Sequence, residues 1–381
     1  MEHGSPLFPE APKRHRIHGG LRTERQEHIF TWMAVVVVLL YATLWVGAIT
    51  EIRRMRDTPV AVEGGEHTEP VEAPPSPVKS ITALGPQLPK TTYLSDAMLG
   101  FLHPLRGESG DLRYAPVLPG ARVVRNAPGD AVAVIDGVQV DFTAPRKPGI
   151  YPFSVEIDDA QRRIEDISIV TLMPRSEKRG GRIGAYQLGT WPFERGGTPK
   201  TPRYAAPSGF IQVTPENQDF KISEHFRLKQ FLTKDQFNVW PKYVLIDPLL
   251  VDKLELTIAE LQSQGVRVEH VHVMSGFRTP RYNVSGGNPA GRANLSRHMY
   301  GDGADVYVDN NRDGQPDDIT GDRRVTTADA EKFARAAERV EGNYRGLLGG
   351  IGVYPACCGH GPFTHVDVRG YRARWRGSGS G

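Results

Sequence analysis

An uncharged, strongly apolar stretch at residues 29–50 constrains this chain more than any other feature. It is about 22 residues long, with Trp32 and Trp45 near its two ends, and roughly 20 apolar residues suffice to cross a bilayer as a helix. Tryptophan is enriched at membrane interfaces. A cleaved signal peptide would have a shorter apolar region and a small-residue cleavage site, which residues 47–50 resemble only weakly. We therefore predict a retained transmembrane helix.

The predicted helix divides the chain into a short N-terminal segment and a large body. Arginines flank the helix on both sides, for example Arg25 and Arg53, so the positive-inside rule barely orients it. A single N-terminal span followed by a large C-terminal body usually exports that body. We expect residues 1–28 in the cytoplasm and a single pass through the inner membrane. The body would then lie in the periplasm or outside the cell.

Two segments that differ in composition and in hydrophobic pattern follow the helix. Residues 51–92 contain a run rich in proline and glutamate, which predicts an extended linker. Residues 93–180 contain three stretches that alternate in period two, with Asp-Gly and Pro-Gly turns among them. This alternation predicts a small β-sandwich-like module, which we interpret as a spacer or binding module. Nothing in it resembles a catalytic site.

Beyond residue 181 helical and strand patterns alternate. Leu250, Leu254, Ile258 and Leu261 recur at helical spacing, which predicts an amphipathic helix before a strand at 266–274. The other predicted elements are a strand at 304–308, a helix at 327–340, and strands at 350–354 and 363–369. Together they indicate an α+β domain over residues 181–377, with an Asp-rich insertion at 309–329. His270 and His272 alternate on the first of these strands, and we interpret them as core-edge residues.

Two short segments of this domain contain a set of metal-ligand types. His298 and Asp305 lie in a glycine-marked segment, and His365 follows about 60 residues later on a predicted strand. Two histidines and a carboxylate form the ligand set of an open zinc site, which keeps a fourth position for water. On the strand, His365, Asp367 and Arg369 share one face. From the spacing alone, it is equally possible that His298 and His365 are ordinary hydrogen-bonded histidines that bind no metal.

The motifs around these residues resemble a known family of peptidases. Ser296-x-His298-x-x-Gly301-x-Gly303-Ala-Asp305, followed by a strand histidine, is similar to the zinc-dependent D-Ala-D-Ala carboxypeptidase and murein endopeptidase clan, peptidase family M15. The His-x-Asp strand resembles its bacterial branch. Further similar motifs lie at residues 274–283, which include Arg278, and at the glycine-rich residues 349–355, so that four motifs in the family's order span roughly residues 208–375. The resemblance implies a hedgehog/DD-peptidase-like catalytic domain with a central antiparallel sheet.

The resemblance also implies roles for individual residues. His298, Asp305 and His365 would bind Zn²⁺, and Arg278 would bind a carboxylate or carbonyl of a peptide substrate. Ser296 would also belong to the substrate-binding part of the site, where it would orient the turn or the groups around the ligands. The implied function is hydrolysis of peptidoglycan stem peptides or their cross-links by metal-activated water. The cleavage would be that of a D,D- or L,D-endopeptidase or of a carboxypeptidase. The alternative is a non-catalytic, metal-stabilised protein that binds peptidoglycan or another part of the cell envelope.

One position departs from the family pattern. Many relatives have a glutamate or aspartate general base three residues before the last histidine ligand, but this chain has Pro362 there. Asp367 is the first candidate for the proton-transfer group and His360 is the second. An equally open role for Asp367 is to accept a hydrogen bond from a ligand imidazole and fix its tautomer.

The Asp-rich insertion suggests a second kind of metal site. Asp309, Asn311 and Asp313, followed by Gly314, match the start of an EF-hand-type loop, in which alternating oxygens bind Ca²⁺. Thr320 replaces the usual bidentate glutamate at the twelfth position. Asp317 or Asp318 would then substitute for it. A solvated acidic turn stays the alternative.

Charge and cysteine content narrow the remaining possibilities. With 47 Lys+Arg against 44 Asp+Glu the net charge is +3, and no basic face is interleaved with aromatic residues, so we do not expect nucleic-acid binding. The two cysteines, Cys357 and Cys358, are adjacent. Free thiols, a vicinal disulfide and extra metal ligands beside His360 are all open for them.

Overall fold

The computed structural model describes residues 100–377, apart from 125–126, 128–130, 136–137, 158–159, 200, 288–291 and 358. These residues belong to one compact unit of the chain. The predicted N-terminal segment, transmembrane helix and linker, at residues 1–28, 29–50 and 51–92, lie outside them. In the described part of the chain, no helix combines the length and the apolar character needed to cross a membrane.

The N-terminal part of the described chain forms one five-stranded sheet in the order β1-β5-β4-β2-β3. Its strands are β1 (Tyr114–Val117), β2 (Val132–Ile135), β3 (Val138–Val140), β4 (Gly149–Ile157) and β5 (Ala160–Thr171). The pairs are antiparallel except for β1 with β5, which is parallel. A short helix, α1 (His103–Arg106), precedes the sheet. Alternating side chains of the strands, such as Ala133, Val155 and Ile169, form a core with Phe142.

This arrangement differs from the β-sandwich expected for residues 93–180, because the five strands lie in one sheet and not in two facing sheets. The edge strand β1 joins the sheet to the rest of the unit. Tyr114 of β1 packs in the large C-terminal core, and its hydroxyl donates to the carbonyl of Ile246 at 3.2 Å. The C-terminal core therefore covers apolar surface that a second sheet would cover in a sandwich.

Two small sheets connect the N-terminal sheet to the site-bearing part. The first has the order β10-β9-β6, and the second pairs β7 with β8. Their strands are β6 (Met173–Pro174), β7 (Arg182–Ile183), β8 (Tyr186–Gln187), β9 (Gly209–Val213) and β10 (Lys242–Val244). Because β6 follows β5 after one residue, the chain passes from one sheet to the next without an exposed linker.

The second five-stranded sheet, which we call the site sheet, has the order β11-β12-β14-β13-β15. Its strands are β11 (Val271–Ser275), β12 (Gly303–Val308), β13 (Gly350–Tyr354), β14 (Phe363–Asp367) and β15 (Ala373–Arg376). All neighbours are antiparallel except β13 and β15. In the register of β12 and β14, Asp305 lies opposite His365. Opposed residues of paired strands point to the same face, so the sheet itself brings these two side chains together.

Two longer helices pack against each other, and the second also packs on β13 and β14 of the site sheet. The C-terminal helices are α2 (Pro248–Ser263), α3 (Pro280–Ser285) and α4 (Thr327–Asn343). Helix α2 begins at Pro248 because Asp247 caps it, accepting a hydrogen bond from Leu249 N. Helix α4 begins with a capping box formed by Thr326 and Asp329. These caps fix where each helix starts relative to the sheet.

Candidate metal centre

His298, Asp305 and His365 converge in a buried cluster, which we call the inner cluster. His298 Nε2 lies 3.2 Å from His365 Nδ1 and 3.3 Å from Asp305 Oδ1. His365 Nδ1 lies 2.8 Å from Asp305 Oδ1. Tetrahedral zinc ligands at about 2.0–2.2 Å from the ion stand roughly 3.4 Å from one another. The three donor atoms therefore lie close to the spacing that a zinc ion requires.

The loop before β12 delivers His298 to the cluster. His298 lies on a 3-10 turn, Arg297–Tyr300, which ends at Gly301 with φ 71°. That left-handed conformation favours glycine, and a Cβ on Gly301 would also collide with the backbone of Leu245. His298 Nδ1 lies 2.8 Å from the carbonyl of Gly276. Because that ring nitrogen donates its proton to the carbonyl, Nε2 presents a lone pair to the cluster.

Asp367 orients His365 through the ring nitrogen that faces away from the other two ligands. Its Oδ2 accepts from His365 Nε2 at 3.1 Å, while its carboxylate also accepts from Gly350 N at 2.7 Å and from Arg369 Nε at 2.9 Å. Its side chain is fully buried. This is the geometry of a carboxylate that orients a ligand imidazole and fixes its tautomer. The alternative role of Asp367 as general base receives no support from these contacts.

Glycines in the segment 349–352 make room for this carboxylate. A Cβ on Gly349 would collide with the carbonyl of Asp367, and a Cβ on Gly350 would collide with its side chain. These two glycines, which lie in the motif at residues 349–355, therefore allow β13 to pack closely against Asp367.

A buried ionic group lies beyond Asp367 and connects it to both long helices. Lys253 of α2 donates to the Asp367 carbonyl at 2.8 Å and to Glu341 Oε1 of α4 at 2.6 Å. Glu341 also pairs with Arg374 of β15. The ammonium of Lys253 is fully buried, and burial lowers its pKa, although Glu341 opposes this effect. The network satisfies each of these buried charges with an opposite one.

Arg278 binds the cluster from its other side. Its Nη2 donates to Asp305 Oδ2 at 2.7 Å, and its Nε donates to Ser275 Oγ at 2.8 Å. Asp305 thus has one oxygen held by arginine and the other directed at the histidines. Ser296, the other expected substrate-binding residue, precedes the 3-10 turn of His298 and forms no side-chain cap there. Its carbonyl accepts from Met299 N at 3.1 Å.

The electrostatics of the inner cluster follow from burial and from these partners. Burial, assisted by the charge of Arg278, lowers the pKa of His298 to about 4. Burial alone would raise the pKa of Asp305, but His298, His365 and Arg278 hold it well below its usual value. Burial would lower the pKa of His365, but its hydrogen bonds to Asp305 and Asp367 raise it to about 9. The cluster therefore holds a carboxylate and at least one neutral imidazole at neutral pH.

His360, the second candidate for proton transfer, lies at the entrance to β14. Its Nδ1 lies 2.8 Å from the Gly361 carbonyl, and its ring contacts Phe363 edge-on at 5.0 Å. None of its described contacts reaches the three ligands of the inner cluster. Cys357, which pairs with His360 through backbone hydrogen bonds, is disulfide-bonded. This removes the free-thiol alternative for Cys357, while Cys358 lies outside the described residues.

Backbone N–H groups donate hydrogen bonds to the carboxylates among the expected calcium ligands. Both oxygens of Asp309 accept from the backbone, from Asp313 N at 3.0 Å and from Gly314 N at 3.0 Å. Asp317 and Asp318 likewise accept from backbone N–H groups, and Asn311 bonds to Asp313. Among the described residues, Asp309, Asp313, Asp317 and Asp318 supply no three carboxylates within 4.8 Å of one another. Calcium binding stays a prediction.

Asp309 converges instead with two residues that sequence reasoning assigned to the core edge. His270, His272 and Asp309 bring one ligand atom each within 4.8 Å of the others; we call them the outer cluster. The signal in the sequence was the His-x-His alternation on a strand. The position of Asp309 beside it depends on the pairing of β11 with β12, which the sequence does not reveal.

Comparisons of the chain with protein-family models, with curated proteins and with solved structures gave no match.

Proposed function

We propose that residues 181–377 form a zinc-dependent peptidase that hydrolyses peptidoglycan stem peptides or their cross-links. The observation that carries the proposal is the convergence of His298 Nε2, Asp305 Oδ1 and His365 Nδ1, at mutual distances between 2.8 and 3.3 Å. Two imidazoles and one carboxylate are the donor set of catalytic zinc sites, which keep a further position open. The peptidoglycan substrate rests on the resemblance of the motifs.

The hydrogen bonds that orient the ligands of the inner cluster support the binding of a metal ion there. A bound Zn²⁺ would supply Lewis-acid polarisation of the scissile carbonyl and a lowered pKa for water. The Gly276 carbonyl and Asp367 each hold one histidine in a fixed ring orientation. Arg278 holds Asp305 and places its guanidinium beside the cluster, where its planar fork suits a substrate carboxylate or carbonyl.

Proton transfer needs a group other than Asp367, because that carboxylate is committed to His365, Gly350 and Arg369. Of the two candidates, His360 is the one we retain in the proposal. It lies shortly before β14, the strand that carries His365, and none of its described contacts engages a ligand of the inner cluster. We further propose that the helix at residues 29–50 and the linker at 51–92 tether this peptidase outside the cytoplasm.

A non-catalytic envelope-binding protein is the second candidate function. The observation that favours it is Pro362, which stands where relatives of the resembled family have a catalytic carboxylate. In this alternative the inner cluster would bind a metal that stabilises a recognition surface, and peptide bonds would not be cut.

One experiment separates the two functions. The full-length chain in detergent is incubated with intact sacculi and with cross-linked muropeptides, with Zn²⁺ or with a chelator, and the released fragments are identified by mass spectrometry. We expect cleavage that requires the metal, is abolished in His298→Ala and is strongly reduced in His360→Gln. The exposed His103 on helix α1 provides the matched control, because His103→Ala should cleave as the wild type does.

Absence of metal-dependent cleavage across all substrates would overturn the peptidase proposal. Retention of the chain on pelleted sacculi in that case would support the binding protein. The masses of the fragments would also identify the bond that is cut, and so distinguish endopeptidase from carboxypeptidase action.

A further inference from the structure

The outer cluster lies beside the same sheet as the inner cluster, and it borders a cavity whose lining includes none of the inner ligands. This cavity has a volume of about 600 Å³, and His270 and His272 form part of its lining. Asp309 is almost fully buried at 1% exposure, whereas His272 is partly exposed. The cluster thus combines a buried carboxylate with two imidazoles that solvent can reach.

Strand pairing holds the outer cluster in place. His272 lies opposite Tyr307 in the register of β11 and β12, and Asp309 N continues this ladder by donating to the His270 carbonyl at 3.0 Å. His270 and His272 share one face of the sheet, as do Tyr307 and Asp309. The His272 ring stacks on Tyr307 with centroids 4.8 Å apart and planes within 8°, which restricts its rotation.

The Asp-rich loop aims the carboxylate of Asp309 at the histidines. Each oxygen of Asp309 accepts one backbone hydrogen bond, and a carboxylate oxygen has capacity for a second partner. Asp309 Oδ2 lies 3.6 Å from His272 Nδ1, which is longer than a hydrogen bond. The two groups face each other without bonding directly, as two ligands of one ion do.

The donor set indicates which ion would bind. Two imidazoles with one carboxylate suit zinc and neighbouring transition metals better than Ca²⁺, which takes oxygen ligands. Burial lowers the pKa of both His270 and His272, which favours the neutral imidazole that binds a metal. Lys234 and Arg312 line the same cavity, and their charge favours an anion as the remaining ligand.

We propose that His270, His272 and Asp309 form a second binding site for a divalent transition metal, with its open positions facing the cavity. This site is independent of the peptidase proposal, because it uses none of the residues of the inner cluster. It also gives the Asp-rich loop a function other than calcium binding.

Zinc stoichiometry tests the proposal. The untagged, metal-free full-length chain is dialysed against Zn²⁺ alone, and bound metal is measured by mass spectrometry. We expect two equivalents in the wild type, one in His272→Ala, one in His298→Ala and none in the double variant. His103→Ala, which removes a histidine outside both clusters, should still bind two.

Two results would overturn the proposal: one equivalent in the wild type with none in His298→Ala, or two equivalents in His272→Ala. To exclude loss of folding as the cause, circular dichroism is recorded for each variant, and His272→Gln is measured beside His272→Ala. In the His298→Ala background, bound Co²⁺ should give visible absorption bands that disappear with either substitution of His272. Bands that persist in a folded double variant would place the ion elsewhere.

Discussion

The inner and outer clusters share a ligand set and a sheet, but they differ in burial and in support. The side chains of His298, Asp305 and His365 are only 4–8% exposed, and each has a partner behind it. In the outer cluster, His272 is 33% exposed, and its support is the ring of Tyr307 in place of a carboxylate or carbonyl. Oriented ligands lose less freedom when an ion binds. We therefore expect the inner cluster to bind a metal more tightly and the outer cluster to exchange it more readily.

Removal of an inner ligand should have the largest effect. In His365→Ala the inner cluster loses a donor and Asp367 loses its imidazole partner, so we expect loss of zinc from this cluster and of metal-dependent hydrolysis. Metal analysis together with the muropeptide assay measures both. Retention of the outer zinc in the same sample serves as an internal control. Full zinc occupancy of the inner cluster in this variant would contradict its assignment.

Weakening the support of an inner ligand should have a smaller effect. Asp367→Asn keeps the shape of the side chain but replaces one acceptor oxygen, and loss of such an outer contact typically lowers metal affinity by about 10- to 100-fold. Competition with a metal-binding dye measures the change. Tyr307→Leu, the corresponding change at the outer cluster, should lower the outer affinity by less, because stacking orients a ring more weakly than a hydrogen bond. A larger loss of affinity in Tyr307→Leu than in Asp367→Asn would contradict the inferred difference in ligand support.

A chelator should remove zinc from the two clusters at different rates. Because solvent reaches His272 but hardly reaches His365, zinc should leave the wild type in two phases, with the outer zinc leaving first. Stopped-flow measurement with a coloured chelator resolves them. His272→Ala should remove the fast phase and leave the slow one unchanged. A single phase in a wild type that binds two equivalents would show that burial does not control release.

The smallest expected effect concerns His225, which lines the same cavity as His270 and His272. His225 Nδ1 lies 2.6 Å from Glu255 Oε2, and this hydrogen bond raises the pKa of His225 although burial opposes it. A raised pKa in the folded state stabilises the fold below the ordinary value of about 6.5, and this stabilisation is lost as pH rises through the folded-state value. We expect the stability advantage of the wild type over His225→Gln to shrink from pH 6 toward alkaline pH. Melting temperatures across the series measure it, and a constant difference would contradict the prediction.

The sequence predicted the inner cluster through the resemblance of its motifs to a known family, because spacing alone left ordinary hydrogen-bonded histidines equally open. Strand alternation places His365 and Asp367 on one face, and the glycines around His298 indicate a tight turn before β12. The outer cluster was not predicted, since its geometry depends on which residue of β11 lies opposite which residue of β12. The backbone groups of Gly276 and Gly350 were also out of reach, because a sequence does not show where a carbonyl or an N–H group points.

As with the two clusters, the sequence predicted one part of the fold and missed another. Periodicity indicated the helix that spans Pro248–Ser263 and several strands of the site sheet, since amphipathic patterns reflect burial of one face. It did not indicate that β1 would pair in parallel with β5 or that Tyr114 would enter the C-terminal core. Period-two alternation identifies a half-buried strand, but it does not identify what covers that strand.

The buried pair of Lys253 and Glu341 has a consequence for how this chain can diverge. Breaking such a pair by replacing one partner costs about 3–5 kcal/mol, because the other charge stays buried without compensation. Lys253 also donates to the carbonyl of Asp367, so its loss would disturb the residue that orients His365. In sequences that diverge from this one, we therefore expect Lys253 and Glu341 either to be retained together or to be replaced together.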